Sequence, residues 1–390
     1  MGKNVLRSEI CEMLGIEYPI FLAGMGSIPG MPRTGKYYTG TSVELVAAVS
    51  NAGGFGVFGA AGLSPEQIPE AVKDIKALTD KPFGIDLLLP VSVDRTTQAA
   101  VNKMKENLPK ENKEYFAWME EVKKKYGLPG NLVMPEHTEG GLEPDYINAQ
   151  FEAAVSVDGP VALCSGVGNS QDAVDRIHKE GKLSISLVGN VRQAKRVAEF
   201  GADIIVAQGT EAGGHTGKIG TLALVPQVVD AVAPIPVLAA GGIGDSRGVA
   251  ASFTLGAKGV WIGTAFLASK ETSITDVTRQ KIIDATEDGT VITEMFTGKT
   301  ARVIKHPVAK EWTESGFKTL GMPLQIFSIR ELCEGMEQSG KPDLFMLPAG
   351  QVSGMIDRVR PAKEILDEMV SGTVDKLKGG QLSGVTIKQD

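Results

Sequence analysis

The feature that most constrains the fold is an alternation of short apolar runs with amphipathic segments along most of the chain. Each run has the length of a buried strand, and the intervening segments carry helical periodicity and capping residues. Strands that alternate with helices are typical of a parallel sheet. The eight predicted strands cover residues 19–23, 55–59, 82–89, 160–164, 183–188, 203–207, 236–239 and 259–262.

Eight strand–helix units predict an α/β fold that closes into a (β/α)8 barrel, the TIM barrel. A doubly wound open sheet is the alternative. Two stretches break the alternation: a polar insertion at residues 90–144, after the third strand, and a mixed appendage at residues 271–357, before the last helix. We therefore predict a barrel over residues 1–270, then the appendage, and a C-terminal segment over residues 358–390 whose helix packs on the barrel.

Composition argues against several classes of function. A net charge of −7 argues against nucleic acid as a partner, and no apolar run reaches the ~18 residues that a membrane span needs. Cys11, Cys164 and Cys333 form no CxxC motif, and no Cys/His spacing is typical of a metal site. We expect a cytoplasmic protein with reduced thiols and a small-molecule substrate. The sequence leaves the oligomeric state open, with a homodimer as one candidate.

Two glycine-rich turns follow the seventh and eighth predicted strands. The first contains Gly241 and Gly242, and the second contains Gly263 followed by Thr264. TIM barrels often bind phosphate with the loops after these strands, where backbone amides need the close approach that glycine permits. We predict a phosphate site here, with tight turns that bind nothing as the alternative. Residues 54–59 match GxGxxG, but they follow a helix and have the pattern of a strand, which argues against a dinucleotide site.

The segment 207–216 follows the sixth predicted strand and is rich in glycine. It contains His215, one of four histidines in the chain. Active sites of TIM barrels lie at the carboxyl ends of the strands, and the ordinary pKa of histidine, ~6.5, suits proton transfer near neutral pH. We predict that His215 is the catalytic acid or base, with a structural histidine in a glycine turn as the alternative.

Five short motifs occur at the ends of predicted strands or beside them: Ala23-Gly24-Met25, Asn51-Ala52-Gly53-Gly54-Phe55-Gly56, Gln208-Gly209-Thr210-Glu211-Ala212-Gly213-Gly214-His215, Ala239-Ala240-Gly241-Gly242-Ile243 and Gly263-Thr264. Together they resemble the nitronate monooxygenase family, formerly called 2-nitropropane dioxygenase, which is related to FMN-dependent enoyl-acyl-carrier-protein reductases. Residues 90–144 and 320–325 resemble a subgroup linked to acyl-CoA oxidoreduction in steroid-ring degradation.

The resemblance implies a TIM barrel that binds FMN non-covalently beside His215, the catalytic acid or base. It implies a phosphate on the two glycine turns and a ring and ribityl chain along Ala23, Gly24, Met25, Gln208, Gly213 and Gly214. The family usually has Asn at the end of the third strand, whereas this chain has Asp86. We include Asp86 among the cofactor-binding residues, although an anionic carboxylate would disfavour reduced flavin unless it is protonated or paired.

Two reactions are compatible with the resemblance. In the first, an FMN-dependent monooxygenase oxidises alkyl nitronates with O2. In the second, NAD(P)H is a transient reductant of the flavin, which then reduces an enoyl or keto acyl thioester of CoA or acyl-carrier protein. His215 serves both reactions, because both need proton transfer next to a stabilised carbanion. The insertion favours a bulky substrate and hence the second reaction. A flavin-binding protein without turnover is a third alternative.

Overall fold

Parallel strands form a nearly closed eight-stranded barrel, as the alternation predicts. The computed structural model describes residues 6–26, 30–89, 98–133 and 144–379. In this part of the chain the strands are Ile20–Leu22 (β1), Gly56–Gly59 (β2), Phe83–Leu88 (β3), Ala162–Val167 (β4), Leu183–Val188 (β5), Ile204–Gln208 (β6), Gly214–His215 (β7), Val237–Ala240 (β8), Gly259–Ile262 (β9), Thr290–Thr293 (β10) and Ala301–Ile304 (β11). The barrel order is β1-β9-β8-β6-β5-β4-β3-β2, and a parallel bridge between Phe21 and Phe55 joins its two ends.

Helices cover the outside of the barrel and build its two additions. The described α-helices are Glu9–Leu14 (α1), Val43–Asn51 (α2), Gln67–Leu78 (α3), Gln98–Glu111 (α4), Lys113–Tyr126 (α5), Pro144–Ser156 (α6), Gln171–Lys179 (α7), Val191–Glu199 (α8), Thr221–Val232 (α9), Ser246–Thr254 (α10), Thr264–Leu267 (α11), Asp276–Ile283 (α12), Pro307–Ser315 (α13), Leu324–Gln338 (α14) and Ala362–Gly379 (α15). Within the described ranges, no helix has the length and apolar character that crossing a membrane requires. The final helix α15 packs against α10 and α2 and covers the seam that the short α11 leaves open.

Alternation along each strand separates two buried layers. In β6, Ile204 and Val206 belong to the cluster inside the barrel, whereas Ile205 and Ala207 belong to the layer between strands and helices. Both faces of a parallel strand are covered in such a fold, so its strands are apolar throughout. This explains why continuous apolar runs, without polar alternation, indicated the barrel strands.

The helix α1 closes the amino-terminal end of the barrel. Its Ile10, Cys11 and Leu14 belong to the same buried cluster as the inward-facing strand residues. Phe21 and Phe55 meet there with ring centroids 5.1 Å apart, and burial of each such side chain is worth ~1.5–3 kcal/mol. With this end filled, the carboxyl ends of the strands remain as the open end where a ligand can bind.

Capping residues begin the outer helices where the sequence predicts them. The Ser42 hydroxyl accepts a hydrogen bond from the amide of Leu45 at the start of α2. Ser64 and Gln67 form a reciprocal capping box: each backbone amide donates to the other's side chain, at 2.9 and 3.3 Å. Such caps satisfy amides that have no partner within the helix and are worth ~0.5–2 kcal/mol each.

The insertion and the appendage pack together in one hydrophobic cluster. Tyr115 and Val122 of α5 share it with Val303 of β11, Trp312 of α13 and Leu332 of α14. The helices α4 and α13 are difficult to recognise from sequence, because their residues are polar and they contain Pro109 and Pro307. The insertion and the appendage therefore form a joint structure, although more than half of the barrel lies between them in the sequence.

The appendage contains a buried histidine at a helix start. His306 is 5% exposed, and its Nδ1 accepts a hydrogen bond of 3.4 Å from the amide of Ala309, which caps α13. Burial, followed by the charge of Lys281, lowers the pKa of His306 to about 4 from an ordinary 6.5. The folded protein therefore holds this side chain uncharged at neutral pH.

Stability is therefore expected to decrease as the pH falls from 6.5 to about 4. In this window the unfolded chain binds a proton at His306 that the folded chain does not, so the free energy of unfolding falls by up to ~3 kcal/mol. His306→Asn keeps a capping side chain that does not titrate, and it should flatten this decrease in urea unfolding measured from pH 7 to pH 4.5. His178→Asn, at an exposed histidine, is the control. An unchanged pH dependence in His306→Asn would contradict the assignment.

Candidate active site

A cavity of about 230 Å³ lies at the carboxyl ends of the barrel strands. The structure brings together at this cavity every residue that the sequence predicted for the site: Ala23, Gly24, Met25, Asp86, Gln208, Gly213, Gly214, His215, Gly241, Gly242, Gly263 and Thr264. They come from the ends of β1, β3, β6, β8 and β9 and from the loop that follows β6. Parallel strands place their carboxyl ends at the same edge, so residues far apart in sequence meet here.

The loop after β6 is anchored to the start of α9 by Glu211. Its carboxylate accepts hydrogen bonds from the amide of Thr221, at 3.0 and 2.9 Å, and from the Thr221 hydroxyl at 2.9 Å. A carboxylate at a helix amino terminus also interacts favourably with the helix dipole. Glu211 lines the cavity, yet no role was predicted for it. An acidic residue in a glycine-rich loop just before a helix is the sequence signal that could have identified Glu211 as the anchor of this loop.

The same loop carries a strand that the sequence did not predict. Gly214–His215 (β7) pairs antiparallel with β11, with His215 opposite Ala301 and Gly214 opposite Arg302. The side chain of Gln208 donates a hydrogen bond of 2.5 Å to the carbonyl of His215. The sequence could not reveal this strand, because its pairing partner lies in the appendage and no local pattern indicates the pairing.

His215 is oriented by a side chain of the appendage. Its Nε2 lies 2.8 Å from the hydroxyl of Thr297. Burial, and secondly the charge of Lys299, lower the pKa of His215 to about 4 from an ordinary 6.5. The imidazole is therefore uncharged at neutral pH, and an uncharged imidazole has a nitrogen that can accept a proton.

Asp86 ends β3 at the cavity wall, and burial raises the pKa of its carboxyl well above the ordinary range. The amide of Leu87 favours the charged form but is the smaller effect. Burial therefore favours the uncharged form of this carboxyl, the form that the sequence analysis required for an acid beside a reduced flavin. The sequence could not reveal this, because the pKa depends on which groups surround the carboxyl.

The turn after β8 exposes backbone donors to the cavity. Gly241 and Gly242 have φ values of +91° and +73°, a left-handed conformation that glycine adopts without strain. Within the described part of the chain, no group accepts a hydrogen bond from the amides of Gly242, Ile243 and Gly244. Free amides in such a turn form a concavity that favours anions.

The Thr264 hydroxyl has a partner that was not predicted. It accepts a hydrogen bond of 2.9 Å from the amide of Gly350, so its proton and one lone pair remain for a ligand. Gly350 belongs to a segment that also lines the cavity with Pro348 and Val352. The appendage therefore closes the cavity on the side of the second glycine turn, as well as orienting His215.

The fold and the cavity define a TIM-barrel enzyme with an uncharged histidine and a turn with free backbone amides at the carboxyl ends of its strands. Comparison with known proteins gives the family. Residues 7–372 match the family model described as nitronate monooxygenase. A Mycobacterium tuberculosis protein described as a candidate monooxygenase is 35% identical, over 97% of this chain and 99% of that protein. A probable nitronate monooxygenase of Staphylococcus aureus is 31% identical, over 94% of this chain and 97% of that protein.

The chain belongs to the nitronate monooxygenase family and is a flavin-dependent oxidoreductase. Solved structures agree with this fold. A nitroalkane oxidase from Streptomyces ansochromogenes superposes with a TM-score of 0.75 at 26% identity, over 96% of this chain and all (100%) of that one. FabK from Thermotoga maritima superposes with a TM-score of 0.71 at 28% identity, over the same 96% and 100%.

Removal of the Lys299 charge should raise the pKa of His215 but leave it below 6.5, because burial is the larger cause. Lys299→Met keeps the length of the side chain without its charge. Histidine NMR titration of the purified protein measures the pKa directly. Lys305→Met is the matched control, since Lys305 lies just past β11 and pairs with Asp288 instead. A lower pKa in Lys299→Met, or an equal change in the control, would contradict this account.

Proposed function

We propose that the protein is an FMN-dependent oxidoreductase that oxidises alkyl nitronates with O2. The observation that carries the proposal is the uncharged His215 at the cavity, held at one ring nitrogen by Thr297. An uncharged histidine can remove the proton α to a nitro group or stabilise the nitronate that results. Membership in the family and likeness to a nitroalkane oxidase support the same class of substrate.

FMN fits the residues that line this cavity. Free amides at the turn after β8 suit a phosphate. The residues that would hold it are Ala23, Gly24, Met25, Asp86, Gln208, Gly213, Gly214, Gly241, Gly242, Gly263 and Thr264. When bound, FMN supplies the redox chemistry by taking electrons from the nitronate and passing them to O2.

The remaining chemistry is assigned to the chain itself. Among the described residues, no hydrogen bond engages Nδ1 of His215, so this nitrogen is available to exchange a proton with substrate. Thr297 and the backbone pairing with β11 keep the ring in place. Because the ring is already positioned and uncharged, proton transfer needs neither a change in its protonation state nor reorganisation of the loop.

Likeness to FabK supports a second candidate, an NAD(P)H-dependent reductase of an enoyl or keto acyl thioester. There His215 would protonate the carbon next to the thioester carbonyl. A histidine with a pKa of about 4 is a weak source of protons at neutral pH because almost none of it is charged. This observation favours nitronate oxidation.

Anaerobic stopped-flow reduction distinguishes the two candidates. We expect propionate 3-nitronate or a nitroalkane nitronate to bleach the flavin absorbance and NADH and NADPH to leave it unchanged. Bleaching by a reduced nicotinamide, followed by reoxidation with an enoyl thioester, would instead establish the reductase. A purified protein that binds no FMN would reject both candidates.

His215→Ala should retain FMN and lose ~10²-fold or more in turnover, as expected when a general acid or base is removed. The loop keeps its position because β7 is held by backbone pairing rather than by the histidine side chain. Steady-state oxygen consumption with a nitronate and the absorbance spectrum of the purified variant measure the two effects. His178→Ala, at an exposed position, should behave like the wild type. Full turnover in His215→Ala would reject the catalytic role.

Gly263→Ala tests the assignment of the second turn. A Cβ at this position would have Ala23 Cβ at 3.6 Å and the Met25 sulfur at 3.8 Å, so the protein itself accepts the methyl group without a clash. Because these neighbours line the cavity, we expect unchanged thermal stability without FMN but FMN affinity lower by about tenfold, the effect of ~1.4 kcal/mol. Gly130→Ala, which meets no atom within 4 Å and lies outside the cavity, is the control. Equal FMN affinity in both variants would count against this assignment.

A further inference from the structure

The carboxyl group of Asp86 has an oxygen that the protein leaves without a partner. Its Oδ1 is shielded from bulk solvent, and no described group lies within hydrogen-bond distance of it. The backbone of Asp86 is held in the barrel: its register positions are opposite Gly59 of β2 and Cys164 of β4, and its carbonyl accepts from the amide of Ala60 at 2.9 Å. The residue is therefore fixed in place while its Oδ1 stays without a partner.

The local packing is built around this carboxyl group. A Cβ added to Gly24 would lie 2.3 Å from Asp86 Cβ and 2.7 Å from Asp86 Oδ2, so only glycine at position 24 leaves room for the side chain. On the other side, both carboxyl oxygens lie 3.8 Å from the Cβ position of Gly166, beside Leu88. Gly24 and Gly166 also line the cavity, so the carboxyl lies between two glycines at the cavity wall.

No described cation faces this carboxyl group. Of the elements packed against it, the ends of β1 and β2 present Gly24 and Gly59, and β4 presents Cys164, whose own pKa burial raises well above its ordinary value. Elsewhere on the cavity wall, the Glu211 carboxylate is engaged by Thr221 and His215 is uncharged. An isolated buried carboxylate is costly, so the group takes its neutral form.

A neutral carboxylic acid is a hydrogen-bond donor, and a buried donor requires an acceptor. Gly24, Gly166 and the side chain of Leu88 present no side-chain acceptor. Asp86 lines the cavity, so a ligand bound there can supply the acceptor. The carbonyl oxygens and ring nitrogens of a flavin are acceptors of this kind.

We propose that Asp86 is held as an uncharged carboxylic acid that donates a hydrogen bond into the cavity, to an acceptor atom on the ring of bound FMN. The inference rests on the proposed function for the identity of the ligand, but the protonation of Asp86 does not. Asp86 and His215 then form a pair with opposite tendencies at one cavity: an acid that keeps its proton and a base that stays free to accept one.

Infrared spectroscopy of the wild type and Asp86→Asn tests the protonation state. At pH 7 the wild-type protein, with or without FMN, should show a carboxylic-acid carbonyl band that is missing in Asp86→Asn and that shifts in D2O. With FMN bound, reduction of the flavin should shift this band, because the strength of the hydrogen bond changes with the charge on the ring. A carboxylate signature assigned to Asp86 at pH 7 would overturn the proposal.

FMN titration of apoprotein tests the hydrogen bond itself. Asp86→Asn keeps a donor of the same shape and should bind FMN within about threefold of the wild type. Asp86→Leu has similar volume without a donor and should bind FMN about tenfold more weakly, as expected when one hydrogen bond to the ligand is lost. Wild-type affinity in a folded Asp86→Leu variant would overturn the proposal, and circular dichroism establishes that the variant is folded.

The outcomes separate this inference from the proposed function. If the wild type binds no FMN, the proposed function fails, while the infrared spectrum of the apoprotein still reports whether Asp86 is protonated. If the wild type binds FMN and is reduced by a nitronate but its Asp86 is ionised, the proposed function stands and the inference fails. If Asp86→Leu does not fold, the infrared band and its shift on FMN reduction still decide the matter.

Discussion

The candidate site depends on one short backbone pairing between distant parts of the chain. The short strand β7, Gly214–His215, pairs with the first two residues of β11. This pairing places His215 beside Thr297. Without this pairing, the glycines before His215 would leave its loop many accessible conformations, because glycine restricts the backbone so little. The barrel thus sets the position of the loop, and the appendage sets its conformation. The orientation of the histidine that we propose as catalytic therefore depends on both parts of the chain.

Burial is the second constraint, and it acts in opposite directions on two groups of one cavity. The same loss of solvent raises the pKa of Asp86 and lowers the pKa of His215, so it favours the uncharged form of both groups. A flavin ring that gains electrons would then be the main change in charge inside the cavity, and its interactions with the wall would depend on hydrogen bonds.

The barrel and part of its site could be predicted from local rules in the sequence. Apolar runs ending in glycine identify buried strands whose carboxyl ends meet, so Gly241, Gly263 and His215 were expected at one cavity, whereas the family resemblance implied the other members. The strand at His215 and the raised pKa of Asp86 could not be predicted. Each depends on a partner, or on the absence of one, that only the folded chain brings near.

The order of the cavity residues along the chain determines when the cavity can form during synthesis. The eight barrel strands end at Ile262, whereas the residues that hold His215 and close the cavity lie at 297–302 and 348–352. During synthesis from the amino terminus, a chain that has just released its last barrel strand therefore carries His215 but lacks the strand that pairs with its loop. The cavity is complete only after the carboxyl-terminal third of the chain has been synthesised.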